Sequence, residues 1–379
     1  MPGQGANGPG RPSGDTGEGP GWLDPLRDLA GVEQPVSGWN SVASADAIRH
    51  FAHGYGDSNP LWCAPDYAAR SVRGQITAPP TFLYSCSSTG RQPGHPGPAQ
   101  VLTGSSAIWL EDAWCFGRPV RVDEAVSASV VVQDVSIRTS ASRGPCAIVT
   151  EQYRFRIGAE TVATCIKKTM RFRRQDTTAR SAHVPEPHYT LAELGRLGER
   201  FAAEDVQRRG SAARRIGDVT AADSLGQILK GPLSQTSLAA WISGTGSPHL
   251  LSDRLAHAIW QADPHARLVS PLTGRPEMDE AAHWDPEYAA VAGMSRGYDF
   301  GSQRIAWLGH LVTDWAGDAG QVSALSGRLL APNLIGDLTT VSGSVTRVDA
   351  RDVTCEIAAR NQRGELTASG VATVVLPGG

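Results

Sequence analysis

Between Ser44 and Tyr55 apolar residues recur at helical spacing, with Ile48, Phe51 and Ala52 on one face and Ser44 or Asp46 placed to cap the first turn. Pro79-Pro80-Thr81-Phe82-Leu83-Tyr84 predicts a further helix, because proline is tolerated in a first turn whose N–H groups have no intrahelical partner. The period then shortens. Ala107 to Leu110, Val126 to Val135, Ala147 to Ile157 and Thr161 to Phe172 are rich in Val, Ile, Thr and aromatics, alternate in part, and are broken by turns at Arg143-Gly144 and Ile157-Gly158-Ala159. The pattern predicts one long helix followed by an antiparallel meander.

The second half runs through the same plan. Ile305, Leu308, Val312 and Trp315 give helical spacing over Ser302 to Trp315, and strand-like stretches follow at Leu338 to Val348, Val353 to Ala359 and Leu366 to Leu376. Between the halves, polar and proline-bearing sequence leads into Thr190-Leu191-Ala192-Glu193, a capping box that opens a charged amphipathic helix to about Arg209. The expected organisation is a disordered tail over 1–20, a first module over 21–174, a linker with its own helix over 175–215 and a second module over 216–379. A short internal repeat supports the duplication: Pro65-Asp66-Tyr67-Ala68-Ala69 aligns with Pro286-Glu287-Tyr288-Ala289-Ala290, which sets His283 against Trp62 and Met278 against Asp57.

Composition narrows the function classes. With 379 residues, 40% of them hydrophobic, and a formal net charge of -3, the chain can bury ordinary cores and gives no reason to expect nucleic-acid or membrane-surface binding. No apolar run approaches the roughly 18 residues that span a bilayer, and no basic region with an apolar core opens the chain, so a cytoplasmic location is expected. The six cysteines form no C-x-x-C pair and read as reduced residues. Arginine heavily outnumbers lysine, which occurs only at Lys167, Lys168 and Lys230. P-loop, dinucleotide, nucleophile-elbow and zincin motifs are absent, and the ten histidines do not pair with cysteines at metal spacing. No cofactor and no metal are expected.

Residues 55 to 69 carry the most specific chemistry. Gly56, Asp57, Asn59, Pro60 and Leu61 match in place the Gly-Asp-x-Asn-Pro-(Leu/Ile/Val)-His motif of the MaoC-like, hydratase-2 type family, with Trp62 where the histidine of that motif stands. The second half resembles the second module of two-domain bacterial members at His283-Trp284-Asp285, Tyr298-Asp299, Arg304, Trp307-Leu308, His310, Thr313-Asp314-Trp315, Pro332-Asn333 and Gly336-Asp337. The resemblance covers roughly residues 25 to 377. It implies an α+β double hot-dog, two modules each wrapping a curved antiparallel sheet around one long helix, with substrate in a channel where they meet. It also implies a cofactor-independent hydratase or dehydratase acting on an enoyl or 3-hydroxyacyl thioester carried by coenzyme A or an acyl carrier protein.

In that chemistry an aspartate and a histidine hold a water that adds to Cβ of the enoyl thioester while a proton goes to Cα. A poised imidazole can take and return the proton, and preorganised N–H groups are needed where charge gathers on the thioester oxygen. Asp57 and His283 are therefore the expected catalytic residues, with Asn59, Trp62, Thr81, Tyr298, Gly301, Ser302 and His310 expected to bind substrate. Trp62 cannot act as a base, because an indole only donates. With Met278 in the acid position, His283 needs a partner from Asp285, Asp299 or Asp57 across the module interface. His310 and Asp314 stand one helical turn apart and can pair directly, a contact read first as structural. Two rivals share the fold: a changed tailoring or cyclisation chemistry on a polyketide-like substrate, and a non-catalytic acyl-binding partner. Assembly into a homo-oligomer is left open.

Overall fold

The computed structural model describes residues 21–87, 105–141, 143–173, 182–247, 250–262 and 264–378. The expected tail over 1–20 and the start of the linker lie outside them. Twelve strands occur among the described residues: β1 (Glu33–Val36), β2 (Ser105–Phe116), β3 (Ser127–Ser140), β4 (Gly144–Ile157), β5 (Glu160–Arg173), β6 (Ser224–Lys230), β7 (Arg267–Val269), β8 (Pro276–Met278), β9 (Gln321–Leu329), β10 (Thr339–Asp349), β11 (Asp352–Asn361) and β12 (Leu366–Val375). Ten of them form one sheet in the order β1-β3-β4-β5-β2-β9-β12-β11-β10-β6, and the other two form a separate hairpin. Each half of the large sheet is the same meander, reversed about the junction of β2 and β9, where Asp112 faces Gly327 and Trp114 faces Leu325 in antiparallel register.

The duplication is visible in detail. Pro65–Arg70 and Pro286–Val291 are both short helices opened by proline, and Thr77 and Tyr298 each form an isolated antiparallel bridge, to Arg121 and to Leu334. The same number of residues separates Pro65 from Pro286, Trp62 from His283 and Thr77 from Tyr298, so Trp62 and His283 hold equivalent places.

The two halves also meet through a helix pair. Ala45–Gly54 is capped by the Ser44 hydroxyl, and Gln235–Thr245 by that of Ser234. Gly54 and Gly244 set their separation: a Cβ at Gly54 would stand 2.8 Å from the Ala240 carbonyl oxygen, and one at Gly244 2.5 Å from that of His50. Neither position has room for a side chain. Phe51 closes the contact, with ring centroids 5.5 Å from Trp241 and 5.6 Å from Phe82.

The long helix of the second half spans Gly301–Ala316 and is buried along almost its whole length. In the first half Pro80–Cys86 is a 3-10 helix where an α-helix was expected, with prolines at its entry removing two N–H donors. A continuous core joins Phe51, Trp62 and Phe82 to Trp241, Ile305, Leu308 and Val312, so the long helix packs on both halves. The linker helix, Leu191–Gln207, opens with the expected capping box of Thr190 and Glu193.

Candidate functional site

Asp57 follows the end of the Ala45–Gly54 helix, in a turn made possible by Gly56 at φ +73°. Its side chain is fully buried and collects donors: the Tyr55 hydroxyl and the Trp62 indole N–H each reach Oδ2 at 2.9 Å, and the Asn59 amide reaches Oδ1 at 2.8 Å. Asn59 in turn caps the Pro60–Cys63 helix, its Oδ1 accepting from the Leu61 amide at 3.0 Å. The motif is a rigid loop built around one carboxylate.

From the other half, the long helix delivers His310 to the same point. His310 Nε2 lies 3.4 Å from Asp57 Oδ1 and 3.2 Å from Asp314 Oδ2, one turn along the helix. On the opposite edge of the ring, Nδ1 is 2.7 Å from Lys230 Nζ, and that ammonium also donates to the carbonyls of Tyr55 at 3.0 Å and Gly56 at 3.2 Å. Arg208, just past the linker helix, closes the cluster with its Nε 2.9 Å from Asp314 Oδ1. Four segments distant in sequence thus converge on one buried set of charges.

Electrostatics within the set are compensated. Burial lowers the Lys230 ammonium to about 8, and the nearby carboxylates oppose that fall without cancelling it. Burial pushes Asp314 up, but His310 and Arg208 beside it outweigh the effect and leave its carboxyl below the ordinary value. Ligand atoms of Asp57, His310 and Asp314 lie within 4.8 Å of one another, the spacing of a three-ligand cation site. Here Lys230 and Arg208 already supply the positive charge that two carboxylates require, and they bond to the groups that would ligate.

Beside this cluster runs a cleft of about 630 Å³, open solvent at its mouth included. Leu61, Leu83, Phe116 and Val120 give it an apolar wall, while Asn59, Trp62, Thr77 and, from the long helix, Thr313 place polar atoms along it. Thr77 Oγ1 is buried and makes no hydrogen bond among the described residues. Asp57 and His310 do not line the cleft, but each is bonded to residues that do: Asp57 accepts from Asn59 and Trp62, and the His310 carbonyl accepts from Thr313.

Comparison with known proteins agrees with this architecture. Residues 29–164 match the family model of the FAS1-like dehydratase domain region. The fold is similar to that of a solved MaoC-like dehydratase, with a TM-score of 0.61 at 17% identity over 93% of this chain and 100% of that one. The chain has a double hot-dog fold. A conserved hypothetical protein of Mycobacterium tuberculosis with a double hot-dog fold is also similar, at a TM-score of 0.52 and 13% identity over 92% of this chain and 97% of that one. Over 90 residues the chain is 24% identical to a UPF0336 protein of Streptomyces avermitilis, a match that spans 60% of that protein's length.

Asp57, Asn59, Trp62 and His310 are brought together. His283 is elsewhere: its Nδ1 is 2.8 Å from the Tyr298 carbonyl oxygen, its ring stacks on Phe300 at 3.8 Å between centroids, and burial lowers it to about 4. Asp57, one of the three acids open to His283, is faced instead by His310. Asp299 is engaged with Arg304 at 2.9 Å and with Asn333, and Asp285 caps the Pro286–Val291 helix. Tyr298 packs against the His283 ring, with centroids 4.3 Å apart. Gly301 presses on Trp109, whose Cβ would stand 2.9 Å from an added Cβ, and Ser302 is buried beside it, so neither lines the cleft. Thr81 is buried and faces Gly309 of the long helix.

Lys230, Arg208 and Thr77 were not expected. Only Lys230 left a trace, as one of three lysines in an arginine-rich chain. No helix among the described residues is long and apolar enough to cross a membrane.

Proposed function

We propose that this protein is a hydratase or dehydratase of an acyl thioester, carried by coenzyme A or an acyl carrier protein, whose acid–base pair is divided between the two halves of the chain. The observation that carries the reading is the approach of Asp57, from the family motif, to His310 Nε2 at 3.4 Å behind the wall of an apolar cleft. The apolar wall suits an acyl chain, and the free Thr77 hydroxyl and the Asn59 side chain suit a thioester or hydroxyl group. In the dehydrating direction Asp57 takes the Cα proton and His310 gives the Nε2 proton to the departing hydroxyl, which leaves as water. Turning the Trp62 ring away from Asp57 opens the pair to the cleft. The reading is tested with trans-2-enoyl and 3-hydroxyacyl thioesters, following the enoyl thioester absorbance. Wild type is expected to interconvert the pair, and His310→Gln to lose at least about 100-fold of that rate, the scale of one acid–base group. Equal rates in His310→Gln and wild type would overturn it.

A second reading rests on Trp62, whose indole bonds Asp57 at 2.9 Å and stands between the carboxylate and the cleft. On that reading the chain binds an acyl thioester without turning it over. Saturable binding with no interconversion would select it.

A further inference from the structure

Lys230 sits at the C-terminal end of β6, and its Nζ is held by three groups: the carbonyls of Tyr55 and Gly56, and Nδ1 of His310. An ammonium has three N–H donors and no acceptor, so these three bonds exhaust it. Nδ1 must then be the acceptor, which places the imidazole proton on Nε2, facing Asp57 and Asp314. We propose that Lys230 is a positioning residue that fixes His310 as its Nε2–H tautomer and acts as the proton reservoir behind it.

The inference rests on the hydro-lyase reading for its chemical step and on geometry alone for the tautomer. A neutral imidazole that gives up its Nε2 proton would become an imidazolate, which is far too costly at neutral pH. The Lys230 bond removes that obstacle. As the C–O bond of a 3-hydroxyacyl thioester breaks and its electron pair goes to oxygen, the oxygen takes the Nε2 proton while Nδ1 takes one from Lys230. The Cα–H electron pair becomes the new C=C bond, and the Cα proton goes to Asp57. His310 stays neutral, Lys230 ends as an amine and Asp57 as an acid. After water and product leave, the Asp57 proton passes to Nε2 and the Nδ1 proton returns to Lys230. The reverse sequence is hydration, and no other reactant is needed.

Two other arrangements were open to this ring. With Lys230 absent, either carboxylate could hold an Nε2–H or a doubly protonated ring, and nothing on the Nδ1 side would discriminate between them. Arg208 cannot take the role, because its contact is with Asp314 and its guanidinium does not give up a proton in this range. The lowering of Lys230 to about 8 by burial brings its loss of a proton close to neutral pH.

The test combines nitrogen-15 NMR of the imidazole with pH–rate profiles, using wild type, Lys230→Met, Lys230→Arg and His310→Gln, the last to assign the His310 signals among ten histidines. Wild type at pH 7 should show Nε2 protonated and Nδ1 as a hydrogen-bonded acceptor, and Lys230→Met should lose that Nδ1 signature. In turnover, kcat should fall about 100-fold in Lys230→Met with KM within about twofold, and the limb of the profile near pH 8 should vanish. Lys230→Arg should restore the Nδ1 bond and thermal stability but leave kcat low, because a guanidinium holds its proton. Recovery of full kcat in Lys230→Arg, or an Nδ1–H tautomer in wild type, would overturn the proposal. Absence of turnover in wild type would overturn the hydro-lyase reading and with it the relay step, while the spectrum would still decide the tautomer.

Discussion

His310 Nε2 and Asp57 Oδ1 face each other at 3.4 Å although 253 positions separate them in the chain, and they belong to opposite halves of the double hot-dog. Asp57 accepts three further hydrogen bonds, all from its own motif loop. Asp57→Ala leaves the Tyr55 hydroxyl, the Trp62 indole and the Asn59 amide without their buried acceptor and is expected to cost about 3–5 kcal/mol, the scale of breaking a buried charge cluster. Asp57→Asn keeps an acceptor and the side-chain volume, and should cost clearly less. Urea unfolding of the three proteins at pH 7 checks the order. Equal stability of wild type and Asp57→Ala would show that the network does not hold the two halves together.

Trp62 combines a wall position in the cleft with the 2.9 Å bond to Asp57. Trp62→Phe retains most of the ring while removing the N–H, so stability should fall by about 1.5–3 kcal/mol for one lost bond to a charged acceptor. On the hydro-lyase reading the indole is a shield, so thioester turnover in this variant should stay within about threefold of wild type or rise. A fall of about 100-fold would mean that the indole N–H itself takes part in the chemistry. Parallel thermal melts and progress curves give both quantities.

His283 is expected to register in pH dependence of stability more than in rate. Its folded value is about 4 against 6.5 for the free side chain, because burial disfavours the charged ring. The unfolded chain therefore binds the proton first as pH falls. The stability is intact above about pH 6.5 and is lost progressively as pH falls toward 4, by about 2 kcal/mol after allowing for the residue's partial exposure. His283→Phe keeps the stacking on Phe300 and should flatten that part of the profile when unfolding is followed from pH 8 to 4. An unchanged slope would locate the acid sensitivity elsewhere.

The fold was legible because it repeats. Alternating strands, the Ser44 cap and the Thr190 capping box follow from local chemistry, and the meanders lie close to where periodicity puts them. The 3-10 form of Pro80–Cys86 escaped, because a helical spacing of apolar residues does not distinguish an α-turn from a 3-10 turn when prolines stand at its start. The partner of Asp57 escaped for a different reason. Aligning the repeats correctly pairs His283 with Trp62, but equivalence by repeat is not contact in space: the half-turn relation between the modules brings the long helix of one to the motif of the other. His310 and Asp314 were visible as an i, i+4 pair, whereas nothing in their spacing pointed to Asp57 or Lys230.

Arg208 ties the segment after the linker helix to the long helix, its Nε 2.9 Å from Asp314 Oδ1 and both side chains largely buried. Arg208→Ala removes one of the two cations, Lys230 being the other, that offset Asp57 and Asp314. Asp314 would remain paired only with His310, at 3.2 Å. Stability should fall by about 3 kcal/mol, since one partner of a buried pair is left behind. Arg208→Lys should recover part of the stability without the full geometry, because an ammonium lacks the planar fork of the guanidinium. Differential scanning calorimetry of wild type and the two variants at pH 7 measures the order. Equal melting of Arg208→Ala and wild type would show that the Arg208–Asp314 pair does not fasten the linker to the long helix.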